Sequence, residues 1–375
     1  MQSKEMIGVF QDAVRRRQEV IQENIVPGQR VIGWMCSYVP EEVIYAAGMY
    51  PVRVWGGEEP TSHADSYLHV NMCSLVRSTL EQALRGKYDF LDGFVTLNTC
   101  DNIRRLYDVW ALYQKTHFTH IMSLPHKVTE NSIGYFTTEV ARLKEGLEAA
   151  FDISITRDSL LRAIEVYNRS RSLLRQIDEL RKRDEPPITG AELLDVVLAG
   201  MILPRDRYNS LLEELVGALE GEKAPNGNGG TRLLLVGSEL DDSEFVRLIE
   251  ESGGMVVADD LCTGSHQYWN LTQADSDPLR ALAQRYLARP DCPRMHPSEG
   301  RLERIRGMIR DYRVEGVIMA PISFCKLHCE GGVDLSHTLK AAKIPYLSIT
   351  REYNLTSAGQ IKTRVESFTD IIRGI

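Results

Sequence analysis

Apolar positions recur along the chain with two periods, and the alternation between them sets the expected architecture. Met6, Val9, Phe10, Val14, Val20 and Ile21 fall at roughly helical spacing, and Pro27-Gly28 ends that first helical segment. The run 31–35 is continuously apolar, reads as a buried strand and leads into Cys36. Pro40, Glu41 and Glu42 open a helix through Ala47, with Gly48 as its stop, and 51–55 reads as a second strand. A helix over 74–85, a strand over 93–97, a loop over 98–100 and a helix over 101–113 complete a βαβα succession. Such alternation implies a mostly parallel sheet covered on both faces.

From 129 to 221 long helical periods take over, at 131–150, 156–183, 190–199 and 205–220, punctuated by Pro186, Pro187 and Pro204. The stretch EKAPNGNGG (222–230) reads as a linker, because its glycines and asparagines support no packed element. Beyond it strands are expected at 233–237, 255–258, 316–320 and 345–349. Helices are expected from 243 and at 277–288, 300–312, 333–343 and 357–373. The expected fold is therefore α/β, with two doubly wound, parallel-sheet lobes of Rossmann or flavodoxin type, residues 1–128 and 231–375, and a helical region, 129–221, between them. The two halves share this grammar without a residue-level repeat.

Composition narrows the function classes. With 375 residues, 43% apolar and 26% charged, the chain can bury more than one core. The formal charge of -8 comes from 44 basic and 52 acidic residues with no long run of either sign, which argues against a nucleic-acid surface. No stretch approaches the roughly 18–20 uncharged apolar residues of a membrane span, and the N-terminus lacks a signal-peptide core, so a cytoplasmic location is expected. Seven cysteines, an odd and widely spread set, favour free, metal-binding or buried thiols over disulfides.

Three of them share one place in the pattern. Cys73 opens a helix, Cys100 lies between a strand and its helix, and Cys325 follows the strand 316–320. In an open α/β sheet these positions fall at the carboxyl ends of strands, where ligands bind, and helix N-termini stabilise a thiolate. Three thiolates meeting there would hold a [4Fe-4S] cluster with one iron open. The plainer alternative is that they are small buried hydrophobes, since no CxxC spacing occurs. Cys36 at another strand end is a fourth ligand, a supporting thiol or core, and Cys329, four residues after Cys325, could share a helix face with it. Cys262 and Cys292, in DLCTG and DCPR loops, read as structural.

The run CSYVPEEVIYAAGMYPVRVWG (36–56) resembles the N-terminal signature of benzoyl-CoA reductase and 2-hydroxyacyl-CoA dehydratase subunits. The likeness continues through NMCS (71–74), NTCDNIRR (98–105), ADDLC (258–262), FC (324–325) and GQIKTRVESF (359–368), in the family's order and over nearly the whole chain. It implies a [4Fe-4S] cluster on Cys73, Cys100 and Cys325, with Cys36 a candidate addition. It also implies single-electron chemistry on an acyl-CoA substrate: ring reduction of benzoyl-CoA, or, as the alternative, water elimination from a 2-hydroxyacyl-CoA through a ketyl radical. The reductase type is the first expectation. The chain has neither a P-loop nor a GxGxxG turn. The resemblance implies as partners a related second subunit and a separate ATP-hydrolysing iron–sulfur activator.

Arg104, Arg105, Lys362 and Arg364 are candidates for CoA phosphates, although single basic residues are more often solvated surface charges. Glu41 and Glu42 suit a helix's first turn without any catalytic role. Among His63, His69, His117, His120, His126, His266 and His328 none is singled out by pattern. Two readings of other classes stand beside these: a metal-free α/β protein with buried thiols, and a non-catalytic electron-transfer protein with a double cluster. The latter needs about six thiolates, and only Cys36, Cys73, Cys100, Cys325 and Cys329 lie in suitable places.

Overall fold

The continuously apolar runs become the central strands of two parallel sheets in the computed structural model, which describes residues 2–221, 229–274, 277–289, 292–355 and 357–374. Most of the linker expected at 222–230 lies outside the described residues. Helices α1 (Gln2–Arg15) and α2 (Arg17–Asn24) precede the first sheet. That sheet is built from β1 (Val31–Trp34), α3 (Glu41–Ala46), β2 (Tyr50–Arg53), α4 (Ser74–Leu84), β3 (Gly93–Leu97), α5 (Asp101–Tyr113) and β4 (Phe118–Met122). Four long helices follow: α6 (Glu130–Phe151), α7 (Arg157–Leu180), α8 (Gly190–Ala199) and α9 (Arg205–Glu220). The second sheet takes β5 (Thr231–Gly237), α10 (Glu244–Glu251), β6 (Gly254–Leu261), α11 (Pro278–Leu287), α12 (Glu299–Asp311), β7 (Gly316–Ala320), α13 (Lys326–Ala341) and β8 (Tyr346–Ser348). Helix α14 (Ala358–Arg373) closes the chain.

The strand orders are β2-β1-β3-β4 and β6-β5-β7-β8, every pair parallel, so the two sheets repeat one topology. Strands β1, β3 and β7 are buried at every position, which requires cover on both faces and explains their unbroken apolar character. This is the α/β arrangement expected from the sequence. The four long helices tie the sheets together: α8 packs on α1 and also on α10 and β6, while α7 packs on α3, α9 and α11. Threonine caps start three of them. Thr129, Thr156 and Thr189 each accept an amide three residues on, and Thr189 with Glu192 completes a capping box.

Three elements depart from the sequence reading. Strand β4 is absent from the expected set, because its Thr119 and His120 make it look polar; it is an edge strand, buried at both ends and partly buried between them. Strand β6 continues past its apolar stretch, carrying Asp259 and Asp260 inside the sheet up to Leu261. Helix α13 begins at Lys326, seven residues before the expected 333, with Gly331 and Gly332 in its second turn disguising it. A Cβ on Gly331 would stand 2.7 Å from Cβ of Pro293, so the glycine permits a close approach between α13 and the segment around Cys292.

Candidate metal centre

Both sheets present a topological switch point at their carboxyl edge, between β1 and β3 and between β5 and β7. Chain segments leaving these strands splay apart there and leave a crevice. One cavity of about 580 Å³ occupies it, lined from residues 36–38 after β1, 98–104 after β3, Ser238 and Glu239 after β5, and 324–328 after β7. Six of the seven cysteines line this cavity: Cys36, Cys73, Cys100, Cys262, Cys292 and Cys325.

Cys73, Cys100 and Cys325 are the N-caps of α4, α5 and α13. A cysteine at that position puts sulfur where a serine oxygen usually accepts a first-turn amide. The Ile103 amide donates to Cys100 Sγ at 3.5 Å. Amides three residues on act in the same sense elsewhere, Val76 on Cys73 and His328 on Cys325, favouring the thiolate. Burial is the larger influence and pushes the thiols up, Cys73 to about 11 and Cys100 to about 12, with Cys325 also well raised. The neighbouring sulfurs add to this: Cys73 acts on Cys100, and Cys73 and Cys100 act on Cys325. Without a cation the three thiols are therefore neutral at pH 7, and a metal would displace their protons.

Asn102 links the elements that carry them. Its Oδ1 accepts from the Cys73 amide at 3.4 Å, and its Nδ2 donates to the carbonyl of Phe324 at 3.3 Å, one residue before Cys325. Two residues of the site hold left-handed backbone, Cys36 at φ 77° and Phe324 at φ 63°. An aromatic residue there is strained, and such strain concentrates at functional sites.

Among the described residues, no three His, Cys, Asp or Glu side chains converge closely enough for a single metal ion. The thiols of Cys73, Cys100 and Cys325 line one cavity from three separate helix starts. That arrangement suits a polynuclear cluster ligated at its corners from several walls.

A family description of the 2-hydroxyglutaryl-CoA dehydratase D-component matches residues 36–372. The chain belongs to this family. Its relatives include enzyme subunits of two chemistries. A benzoyl-CoA reductase subunit from Thauera aromatica is 30% identical over 92% of both chains. The beta subunit of (R)-phenyllactyl-CoA dehydratase from Clostridium sporogenes is 26% identical over 97% of both. The beta subunit of (R)-2-hydroxyglutaryl-CoA dehydratase from Acidaminococcus fermentans is 28% identical, covering 97% of this chain and 98% of that one. Among the described residues of this chain, no helix is long and apolar enough to cross a membrane.

The remaining candidates sort by position. Of the four basic residues proposed for phosphate, Arg104 lines the cavity, paired with Asp101 at 3.2 Å; Lys326, which no sequence pattern singles out, lines it too. Arg105 pairs with Asp108 at 2.9 Å, and Lys362 and Arg364 lie on α14, all outside the cavity lining. Glu41 and Glu42 are structural: Glu41 meets Arg205 at 3.0 Å, and Glu42 meets Arg171 at 2.6 Å and Tyr286 Oη at 2.7 Å. Burial opposes ionisation of Glu42, yet Arg171 and Arg285 hold it below the usual carboxylate range.

Among the histidines, His126 and His328 line the cavity. His126 Nε2 lies 2.9 Å from the Arg294 guanidinium and Nδ1 lies 3.1 Å from the Arg294 carbonyl, a pairing that needs the neutral ring protonated on Nδ1. His328 Nε2 is 3.8 Å from Cys262 Sγ. His266 instead binds Asp260 at 2.6 Å inside a buried cluster with Arg301 and Arg304.

Cys262 and Cys292, expected to be structural, lie in the cavity wall. Cys262 directly follows the extended β6, and Cys292 is carried against α13 by the contact at Gly331, so both reach the cavity. Cys329 is exposed and does not line it. The signal available in the sequence is the acidic pair Asp259-Asp260, whose burial in a strand demands partners and so a longer strand.

Proposed function

We propose that this chain is the iron–sulfur subunit of an acyl-CoA-converting enzyme, with Cys73, Cys100 and Cys325 holding a [4Fe-4S] cluster that has one iron without a protein thiolate. The observation that carries the reading is that three separate helices begin on these cysteines around one cavity at the switch points of both sheets. When bound, such a cluster supplies single electrons and a Lewis-acidic iron. The chain's own residues supply the setting. Met72, Leu75, Val76, Ile322 and Leu327 in the cavity wall exclude water. The first-turn Ile103 amide donates to Cys100 Sγ, and the three helix N-termini favour the ionised form of their capping thiols. Arg104 and Lys326 give the lining positive charge for the phosphates of a CoA thioester.

The electron-accepting reaction is read first as ring reduction of a benzoyl-CoA-type thioester, on the strength of the 30% identical reductase relative. The second reading, dehydration of a 2-hydroxyacyl-CoA, is favoured by the two dehydratase relatives that match 97% of the chain. In either case the family resemblance implies a related second subunit and an ATP-hydrolysing activator with its own cluster, consistent with a sequence that has no nucleotide-binding loop. The deciding experiment supplies the anaerobic complex with activator, ATP and a strong reductant, and offers benzoyl-CoA and (R)-2-hydroxyacyl-CoAs in parallel. Loss of the aromatic absorbance of benzoyl-CoA supports the first reading. Enoyl-CoA formation alone replaces it with the second, and turnover of neither by cluster-loaded protein contradicts both.

A further inference from the structure

Among the described residues, left-handed backbone outside glycine occurs at Cys36, Asp152, Arg313, Phe324 and Lys343. Asp152, Arg313 and Lys343 stand just past the ends of α6, α12 and α13, where that conformation is a common helix stop, and all three are exposed polar residues. Phe324 has no such reason. It lies in the loop between β7 and α13, at φ 63°, and is 48% exposed.

The backbone around Phe324 is fixed without help from its ring. The Cys325 amide donates to the Ile322 carbonyl at 3.0 Å, closing a turn in which Phe324 is the third residue. The Ile322 amide donates to Ser238 Oγ at 3.0 Å, the Ser323 amide to the Arg351 carbonyl at 2.7 Å, and Asn102 Nδ2 to the Phe324 carbonyl at 3.3 Å. Glycine or asparagine would make the same turn with less strain, because a left-handed conformation crowds a bulky side chain. Burial of the ring does not offset that strain, since about half of it is exposed. On both counts folding favours another residue here, so the ring serves a contact that the chain itself does not supply.

Phe324 lines the cavity and directly precedes Cys325, and Met72, Leu75, Val76, Ile322 and Leu327 make the wall around it apolar. A CoA thioester bound with its carbonyl at the cysteine-bearing edge would put its acyl group against this wall and its nucleotide a pantetheine arm away. We propose that Phe324 is the specificity-determining residue of the acyl pocket, and that the acyl group it selects carries an apolar aromatic ring stacked on its own. Offset stacking of two rings adds to the gain from apolar burial, whereas a second carboxylate would be stripped of water against the same wall. The inference rests on the acyl-CoA reading above and deepens it to a substrate class. It applies equally to an aryl ring that is itself reduced and to one carried on a 2-hydroxyacyl chain.

The test is equilibrium binding of benzoyl-CoA, acetyl-CoA and glutaryl-CoA to the anaerobic complex without activator, so that nothing turns over, for wild type, Phe324→Ala and Phe324→Gly. The glycine variant suits φ 63° and secures a folded protein. Wild type is expected to bind benzoyl-CoA about tenfold or more tightly than either other thioester. Both variants are expected to lose most of that preference, through weaker benzoyl-CoA binding alone, and Phe324→Gly to melt at or above the wild-type temperature in the metal-free form. A preference that is absent from wild type, or unchanged in the variants, overturns the inference and leaves the acyl-CoA reading standing. Weakened subunit assembly in the variants with the preference intact overturns it too, since the ring would then be an interface contact. Binding of none of the thioesters by the folded wild-type complex removes the acyl-CoA reading as well.

Discussion

Asn102 is the residue on which the geometry of the three capping thiols turns, although its side chain touches no sulfur. It joins the Cys73 amide to the Phe324 carbonyl and sits two residues after Cys100, so one amide side chain spans all three cysteine-bearing segments. Replacing it by alanine removes two hydrogen bonds at a partly exposed position, a loss of about 1 kcal/mol in global stability. The larger expected effect is on the site: Asn102→Ala should lose iron to a chelator several-fold faster than wild type while its unfolding midpoint hardly moves. Unchanged iron release would remove Asn102 as a positioning residue. No sequence pattern singles out this asparagine, because its role depends on Phe324, 222 residues away in the chain. The placement of Cys73, Cys100 and Cys325 at helix starts on one edge of the sheets was legible because each stands beside a strand end or helix start, which is local information.

At the scale of elements, each of the three helices starts on a poor cap. Serine is a better N-cap than cysteine, so helix stability is given up for sulfur. Cys100→Ser is therefore expected to leave the metal-free protein as stable as wild type, or more stable by up to about 1 kcal/mol, while abolishing iron retention. Chemical denaturation of the iron-free proteins measures this, and a marked loss of stability would mean that the sulfur is there for packing.

Helix α8 carries a second, titratable cost. Burial pushes the Asp195 carboxyl up to about 6, against Ser243, Arg247 and Gln11; among the described residues its Oδ2 has no hydrogen-bond partner, the Arg247 guanidinium standing 3.5 Å away. The folded state thus binds this proton more tightly than the unfolded one. The associated stability is fully present below the ordinary value of 3.8 and is lost as pH rises through about 6. Asp195→Asn should accordingly raise stability by about 1–3 kcal/mol at pH 8, an advantage that shrinks as pH falls toward 4. Thermal melts across that range would show no pH-dependent difference between the two proteins if the carboxylate were well solvated. Most elements were readable from periodicity, since buried parallel strands and capped helices have local signatures. Strand β4 was not, because its Thr119 and His120 make it look polar, and the true start of α13 was hidden by two glycines, one of which serves a distant contact with Pro293.

At the scale of the molecule, two sheets of the same strand order aim their carboxyl edges into one crevice, and interactions across it hold them in register. Arg53 of β2 pairs with Glu239 after β5, Arg289 reaches the Ser37 carbonyl, and the Tyr353 amide donates to Ser74 Oγ at 2.9 Å. Neither sheet alone assembles the site, because Cys73 and Cys100 come from one and Cys325 from the other. A site divided in this way should respond to the loss of any one contributor. The most direct measurement is electron paramagnetic resonance with iron analysis on the anaerobic Cys73→Ala, Cys100→Ala and Cys325→Ala variants, each checked for native circular dichroism. Each substitution is expected to abolish or transform the signal of the cluster they share; a wild-type signal and iron content in any folded variant would contradict the assignment of that thiol as a ligand.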